Sequence, residues 1–167
     1  GRLLEQLARL VHARRVVELG SGVGYSGAWL ARGLEPDGEL HLTDDNPEFV
    51  AAARGHVSQL GLGDRVTVHH GDALEILQRL EGEFDIVFND CEKHDYPRVF
   101  HLARPRIRRG GLLISDNTLW GGAVADEKAI DAETAAIREY NRLTTTDPGL
   151  LTTIVPLRDG VSVSLIL

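Results

Sequence analysis

Five short apolar runs alternate with helix-forming stretches along this chain, and two further β-rich pieces close it. That pattern predicts an α/β fold: a mostly parallel sheet with helices on both faces and a C-terminal antiparallel hairpin. Three observations carry the prediction. They are the alternation itself, the Gly and Pro-Asp-Gly punctuation between runs, and the last two runs, Thr152 to Leu157 and Val161 to Leu167, which flank Arg158-Asp159-Gly160. A length of 167 residues suits one domain with a good core and is short for two, so residues 1–167 are read as one unit.

The elements follow in order. Leu3, Leu4, Leu7, Leu10 and Val11 recur at helical spacing, which predicts an amphipathic helix over residues 2 to 13. Val16 to Leu19 is a first strand that runs into a glycine loop. A helix follows through Leu34 to the Pro-Asp-Gly turn at 36 to 38. Leu40 to Thr43 is a second strand, closed by Asp44, and Pro47 opens a helix that reaches about Leu60 and stops at Gly61 and Gly63. Val66 to His70 is a third strand, followed by Gly71-Asp72-Ala73 and a helix to about Leu80. Phe84 to Phe88 is a fourth, ending at Asn89-Asp90. Tyr96 to Ile107 reads as a helix with Gly110-Gly111 as its stop, so that Arg104, Arg106, Arg108 and Arg109 would complement the dipole at its end. Leu112 to Ser115 is a fifth strand, ending at Asp116-Asn117, and a long helix is expected over Glu127 to Leu143.

Composition narrows the function. A hydrophobic content of 43% with 26% charged residues is ordinary for a soluble globular domain. A net charge of −7 argues against a nucleic-acid partner, because a phosphate backbone attracts basic surfaces. No apolar run approaches a membrane span and no signal peptide is visible, so no membrane partner is expected. The one cysteine, Cys91, allows no intrachain disulfide, and a reducing, cytoplasmic setting is the expectation.

The loop after the first strand reads Val-Val-Glu-Leu-Gly-Ser-Gly-Val-Gly-Tyr-Ser-Gly, residues 16 to 27. From Gly22 it matches the glycine fingerprint of dinucleotide sites; from Glu18 it is an acidic residue leading glycines 20, 22 and 24. Glycines let the backbone turn sharply and approach a ligand. A pyrophosphate would be repelled by Glu18 and meets no lysine or arginine in the loop. S-adenosylmethionine fits better: Glu18 for its ammonium, Ser26 and loop N–H groups for its carboxylate, and Asp44 for the ribose hydroxyls. Gly20, Ser21, Gly24, Tyr25 and Asp45 complete the candidate contacts of the loop and second strand. Asp72 or the Ala73 backbone would hold the adenine, with an N-cap role for Asp72 equally open.

Asp90-Cys91-Glu92-Lys93 and Asp116-Asn117-Thr118-Leu119-Trp120 follow adjacent strands, whose carboxyl ends a parallel sheet brings together. Asp90, Asp116 and Asn117 would form an all-oxygen site suited to Mg²⁺ or another divalent cation such as Ca²⁺ or Mn²⁺. Lys93, three residues after Asp90, would lean over the same cleft. A metal and a sulfonium nearby would draw its pKa down, as suits a general base toward a phenolic hydroxyl. Trp120 is a candidate for packing against the acceptor ring, with ordinary core packing as the alternative.

These pieces, in this order over nearly the whole chain, resemble the cation-dependent, S-adenosylmethionine-dependent O-methyltransferases of the catechol and caffeoyl-CoA type and their small bacterial relatives. The matching residues are Glu18-Leu19-Gly20 through Gly24-Tyr25-Ser26, Asp44 with Asn46, Gly71-Asp72-Ala73, Asp90-x-x-Lys93, Asp116 to Trp120, and Asp159-Gly160. The resemblance implies the Rossmann-like class I methyltransferase fold and a metal held by Asp90, Asp116 and Asn117. It also implies Lys93 as base and cofactor contacts from Glu18, Gly20, Ser26, Asp44, Ala73 and Asp90. Cys91 stands where many relatives have alanine and is assigned to the adenosine side. The glutamate that animal catechol enzymes place near the equivalent of Val155-Pro156 has no match. The resemblance further implies helices before the equivalent of Gly1 that cover the cofactor, shape the acceptor pocket and help dimerisation, and no residues here match them. The expected partners are thus a small phenolic acceptor and, in the assembly, a homodimer. Two other readings stay open at this point: a cofactor-binding module without catalysis, and a nicotinamide-dependent oxidoreductase using the second frame of the loop.

Overall fold

The computed structural model describes residues 1–167. Its seven-stranded sheet has the order β3-β2-β1-β4-β5-β7-β6. The strands are β1 (Arg15–Leu19), β2 (Glu39–Asp44), β3 (Val66–His70), β4 (Phe84–Asn89), β5 (Ile107–Ser115), β6 (Leu150–Val155) and β7 (Val161–Ile166). The first five pair in parallel, and β7 runs antiparallel to both β5 and β6, which closes the sheet with the expected hairpin.

Residues along each central strand alternate between two cores. Val16, Ile86, Phe88, Leu112 and Ile114 face α1 (Arg2–Leu10), α2 (Tyr25–Gly33) and α3 (Pro47–Gln59). Val17, Leu19, Val87 and Leu113 face α4 (Ala73–Arg79), α5 (Tyr96–Ala103) and α6 (Ala132–Thr146). A strand segment buried on both faces favours apolar residues, which is why Val16-Val17, Ile86 to Phe88 and Leu112 to Ile114 read as apolar runs. The strand order reverses between β1 and β4, and the crevice at that switch point is where such sheets bind ligands.

Three boundaries differ from the expectation. The helix from Tyr96 ends at Ala103; a 3-10 turn covers Arg104–Arg106, and β5 begins at Ile107. Gly110 and Gly111 therefore lie within β5, not at a helix stop. The pairing with β4 slips there, from Phe84↔Ile107 to Ile86↔Leu112. A side chain at Gly111 would meet the Asp85 carbonyl at 2.7 Å, so the bulge needs a glycine for close approach. The arginines do not crown the end of α5: Arg104 pairs with Asp147 at 3.0 Å, Arg108 with Asp85 at 2.5 Å, and Arg106 caps the end of α4 instead, donating to the Leu77 carbonyl at 2.7 Å. The last helix starts at Ala132, where the Asp131 side chain accepts the Thr134 N–H at 2.8 Å. That cap overrides the earlier start expected at Glu127. The first helix stops at Leu10, and His12, at a φ of +51°, turns the chain into β1. No helix is long and apolar enough to cross a membrane.

Candidate active site

The carboxyl ends of β1, β2, β3 and β4 open into a cleft of about 880 Å³. The first turn out of β1 makes its floor. Gly20 and Ser21 donate their N–H groups to the Thr43 carbonyl at 3.1 and 2.8 Å, hooking the loop onto β2. Gly20 has a φ of +82°, and a side chain there would meet the Asp90 carbonyl at 2.5 Å. Only glycine allows the β1 and β4 loops to lie this close. Asp44 braces the loop from β2: its carboxylate accepts the Gly22 N–H at 2.8 Å and the Asn46 N–H at 2.9 Å. A carboxylate has about four lone-pair positions, so capacity remains for the ribose contacts assigned to it.

Most of the sequence-derived cofactor residues meet here. Gly20, Ser21, Tyr25, Ser26, Asp44, Asp45, Asp72, Ala73, Asp90 and Cys91 all line the cleft, as do Lys93 and Trp120. Asp72 also caps α4, accepting the Glu75 N–H at 2.8 Å, so both of its anticipated roles are compatible with its position. Gly24 is an exception. It caps α2 in the left-handed conformation, where a side chain would meet Ala53 and Leu42, and it is not among the cleft-lining residues. Glu18 is the other. It is fully buried beneath the cleft rather than on its wall. The Ser26 hydroxyl, expected to face a ligand carboxylate, donates instead to one Glu18 oxygen. The other oxygen, Oε2, has no partner. Burial, with the charges of Asp90 and Asp44 adding to it, pushes the Glu18 carboxyl up to about 8. An orphaned, buried carboxyl oxygen beside the cleft fits an ammonium donor.

The wall carries seven carboxylates (Asp44, Asp45, Asp72, Asp90, Glu92, Asp95 and Glu133) and one ammonium, that of Lys93. This field favours a cationic ligand and opposes a pyrophosphate, which removes the physical basis for the dinucleotide frame of the loop. Five lining residues, Phe49, Leu74, His94, Asp95 and Glu133, lie outside the sequence motifs. Phe49, exposed in the first turn of α3, adds an apolar surface beside Asp45; His94 and Glu133 complete the rim. Phe49 sits three residues past the cap Asn46, a spacing that could have flagged it.

A tight polar array joins the ends of β4 and β5. Lys93 is buried, and its Nζ donates to Asp90 Oδ1 at 3.1 Å, to the Cys91 carbonyl at 3.1 Å and to Tyr96 Oη at 2.9 Å. All three ammonium protons therefore have acceptors within the protein. Tyr96, missed by the sequence reading, in turn donates to the Asp116 carbonyl at 2.9 Å. It is fully buried and lies three residues after Lys93, a spacing that is the one sequence signal for it. Burial pushes the Asp90 carboxyl up; the Lys93 charge opposes this and that of Asp116 adds to it. The Cys91 thiol donates to Asn89 Oδ1 at 3.0 Å, and burial pushes it up to about 12, so it is no nucleophile.

Asp116 and Asn117 open on an adjoining pocket of about 240 Å³ instead of the main cleft. Asp116 lies close enough to Asp90 for its charge to act on the Asp90 carboxyl, as the pairing of the β4 and β5 ends requires. No cluster of three or more His, Cys, Asp or Glu side chains is arranged as a metal cage. The donors of Asp90, Asp116 and Asn117 are two carboxylates and an amide. Such a hard oxygen set suits Mg²⁺, which keeps several waters and takes only one or two carboxylates. Asn117 has a φ of +54°, a left-handed conformation that asparagine tolerates and that cups the turn after Asp116. Trp120, with a φ of +48°, both lines the cleft and packs against the second core.

Comparison with known proteins matches this geometry. The O-methyltransferase family model aligns with residues 1–166. A curated relative from Mycolicibacterium smegmatis is 39% identical over 163 residues, covering 96% of this chain and 78% of the relative. The crystal structure of the O-methyltransferase TomG from Streptomyces achromogenes, in complex with S-adenosylmethionine, superposes with a TM-score of 0.93 at 34% identity, covering 99% of this chain and 78% of that one. The O-methyltransferase of Bacillus cereus in complex with S-adenosylhomocysteine gives a TM-score of 0.93 at 29% identity, covering 99% and 80%. The chain therefore belongs to the O-methyltransferase family, with the Rossmann-like fold of class I methyltransferases, and it is an S-adenosylmethionine-dependent O-methyltransferase.

Proposed function

We propose that this enzyme moves a methyl group from S-adenosylmethionine to one hydroxyl of a catechol-like acceptor with the help of a divalent cation. The observation that carries the proposal is the array Asp90–Lys93–Tyr96–Asp116, which ties the Asp90 carboxylate to the Asp116 main chain at adjacent strand ends beside an acidic cleft. In this reading Asp44, Asp72 and the Gly20–Ser26 loop hold the ribose, adenine and amino-acid parts of the donor, and Glu18 lies beneath its ammonium. The sulfonium is then drawn to the carboxylate-rich wall and kept away from the one lysine.

Asp90, Asp116 and Asn117 would hold the cation. When bound it would lower the pKa of the acceptor hydroxyl and orient it toward the methyl carbon. Lys93 is the candidate to receive the hydroxyl proton, as the only cleft ammonium. To do so it must first release to cleft solvent one of the three protons now held against Asp90, the Cys91 carbonyl and Tyr96. The acceptor oxygen forms its bond to the methyl carbon as the carbon–sulfur bond breaks, leaving S-adenosylhomocysteine. Trp120 offers the acceptor ring a flat apolar surface.

Asp116→Ala tests this. Turnover of a catechol with Mg²⁺ should fall by 10²-fold or more, while S-adenosylhomocysteine binding by calorimetry remains measurable. Full activity of the unmodified enzyme in excess chelator would sink the cation assignment. Methylation of a panel of catechols, flavonoids and hydroxycinnamoyl esters, with and without Mg²⁺, defines the acceptor.

A further inference from the structure

The 240 Å³ pocket is small against the roughly 300–1,000 Å³ of drug-sized ligand sites, and has room for a single substituted ring. Leu4 and Phe88 contribute apolar surface to it, and Asp116, Asn117 and Arg158 contribute polar groups. Arg158 is the first central residue of the β6–β7 turn, which the Gly160 N–H closes on the Leu157 carbonyl at 3.0 Å. Its φ is +53°. Where a turn demands positive φ at that position, glycine is the ordinary occupant, and a side chain there is strained. The turn is not free to relax. Thr118 donates to the Gly160 carbonyl at 3.0 Å and Leu119 to the Asp159 carbonyl at 2.8 Å, while the Asp159 carboxylate accepts the Gly121 N–H.

The fold makes no use of the Arg158 charge. Arg104, Arg108 and Arg138 are each held by carboxylates or carbonyls, but the exposed Arg158 guanidinium has neither an ion-pair nor a hydrogen-bond partner. The two carboxylates that share the pocket accept main-chain N–H groups, Asp159 from Gly121 and Asp116 from Asn117 at 2.7 Å, and neither pairs with the guanidinium. A strained backbone carrying an unpaired cation, in the pocket that Asp116 and Asn117 share, is a position where strain points to function.

We propose that Arg158 selects the acceptor by pairing with a carboxylate on its ring, so that the acceptor class is aromatic dihydroxy acids rather than neutral catechols. The proposal rests on the acceptor reading above. A guanidinium binds carboxylate through two parallel hydrogen bonds, and Asp116, lining the same pocket, repels that group, so the two charges together select and orient the ring.

The test compares 3,4-dihydroxybenzoate with its methyl ester, in the presence of Mg²⁺, for the wild type, Arg158→Gly and Arg158→Gln. The wild type should favour the acid by tenfold or more in kcat/KM. In both variants that ratio should approach one, through a rise in KM for the acid. Arg158→Gly should also melt at or above the wild-type Tm, because it relieves the strained φ, whereas Arg158→Gln keeps the strain and loses only the charge. Equal use of acid and ester by the wild type, or an acid preference that survives both substitutions, overturns the proposal alone. If the wild type methylates neither compound, the acceptor reading falls and takes this proposal with it.

Discussion

Replacing Glu18 with glutamine keeps the shape of the buried side chain and its acceptor for the Ser26 hydroxyl, and removes only the ionisation. The carboxyl is fully buried, its Oε2 unpartnered, and its pKa stands at about 8 against an ordinary 4.5. The folded value lies above the unfolded one. Below pH 4.5 both states are protonated and there is no cost. Between 4.5 and 8 the unfolded chain ionises while the folded one resists, so stability falls as pH rises; above about 8 the full penalty is present. At about 1.4 kcal/mol per tenfold change in proton affinity, that interval is worth on the order of 5 kcal/mol as an upper bound. Urea unfolding from pH 5 to 8.5 on both proteins checks it, and Glu18→Gln should lack this slope. The rings of His41 and His69, which burial pushes down, titrate in both proteins and cancel in the difference. A cationic ammonium above Glu18 favours its charged form, so wild-type affinity for S-adenosylhomocysteine should rise between pH 6 and 8 while that of the variant stays flat. Parallel stability curves for the two proteins would refute the reasoning.

Two further substitutions probe the frame of the site. Gly20→Ala must place a side chain at a φ of +82° within 2.5 Å of the Asp90 carbonyl; a loss of about 2–4 kcal/mol is expected in chemical unfolding, with weakened S-adenosylhomocysteine binding. Unchanged stability would mean that the β1 and β4 loops are not in contact. Tyr96→Phe leaves Lys93 short of one acceptor and the Asp116 carbonyl without its donor. It should cost about 1–3 kcal/mol and lower kcat more than it raises KM, readable in thermal melts and steady-state rates.

The cofactor half of the site was legible in the chain because it is built from local segments. A glycine loop must follow β1, an acid must end β2, and Asp72 starts a helix; each needs only its own neighbours and the rule that ligands gather at strand ends. The sequence shows Glu18 as an acid at the end of β1 but not that it is fully buried. Its side-chain direction depends on which face of β1 the loop covers, and that face is buried against Leu42 and Gly27. The arginine run at 104 to 109 was misread for a related reason. Its partners Asp147, Asp85 and Leu77 lie far along the chain, and no local pattern names them.

Periodicity, glycine punctuation and polar strand ends thus determine an α/β sheet, its hairpin and a binding edge, since these depend on short-range backbone preference and on which residues must avoid water. Tertiary structure alone decided that Lys93 has all its protons engaged, that Tyr96 couples the β4 and β5 ends, and that Arg158 stands unpaired in a strained turn. Hydrogen bonds and burial between segments tens of residues apart set those states, and they exist only once the sheet has brought the segments together.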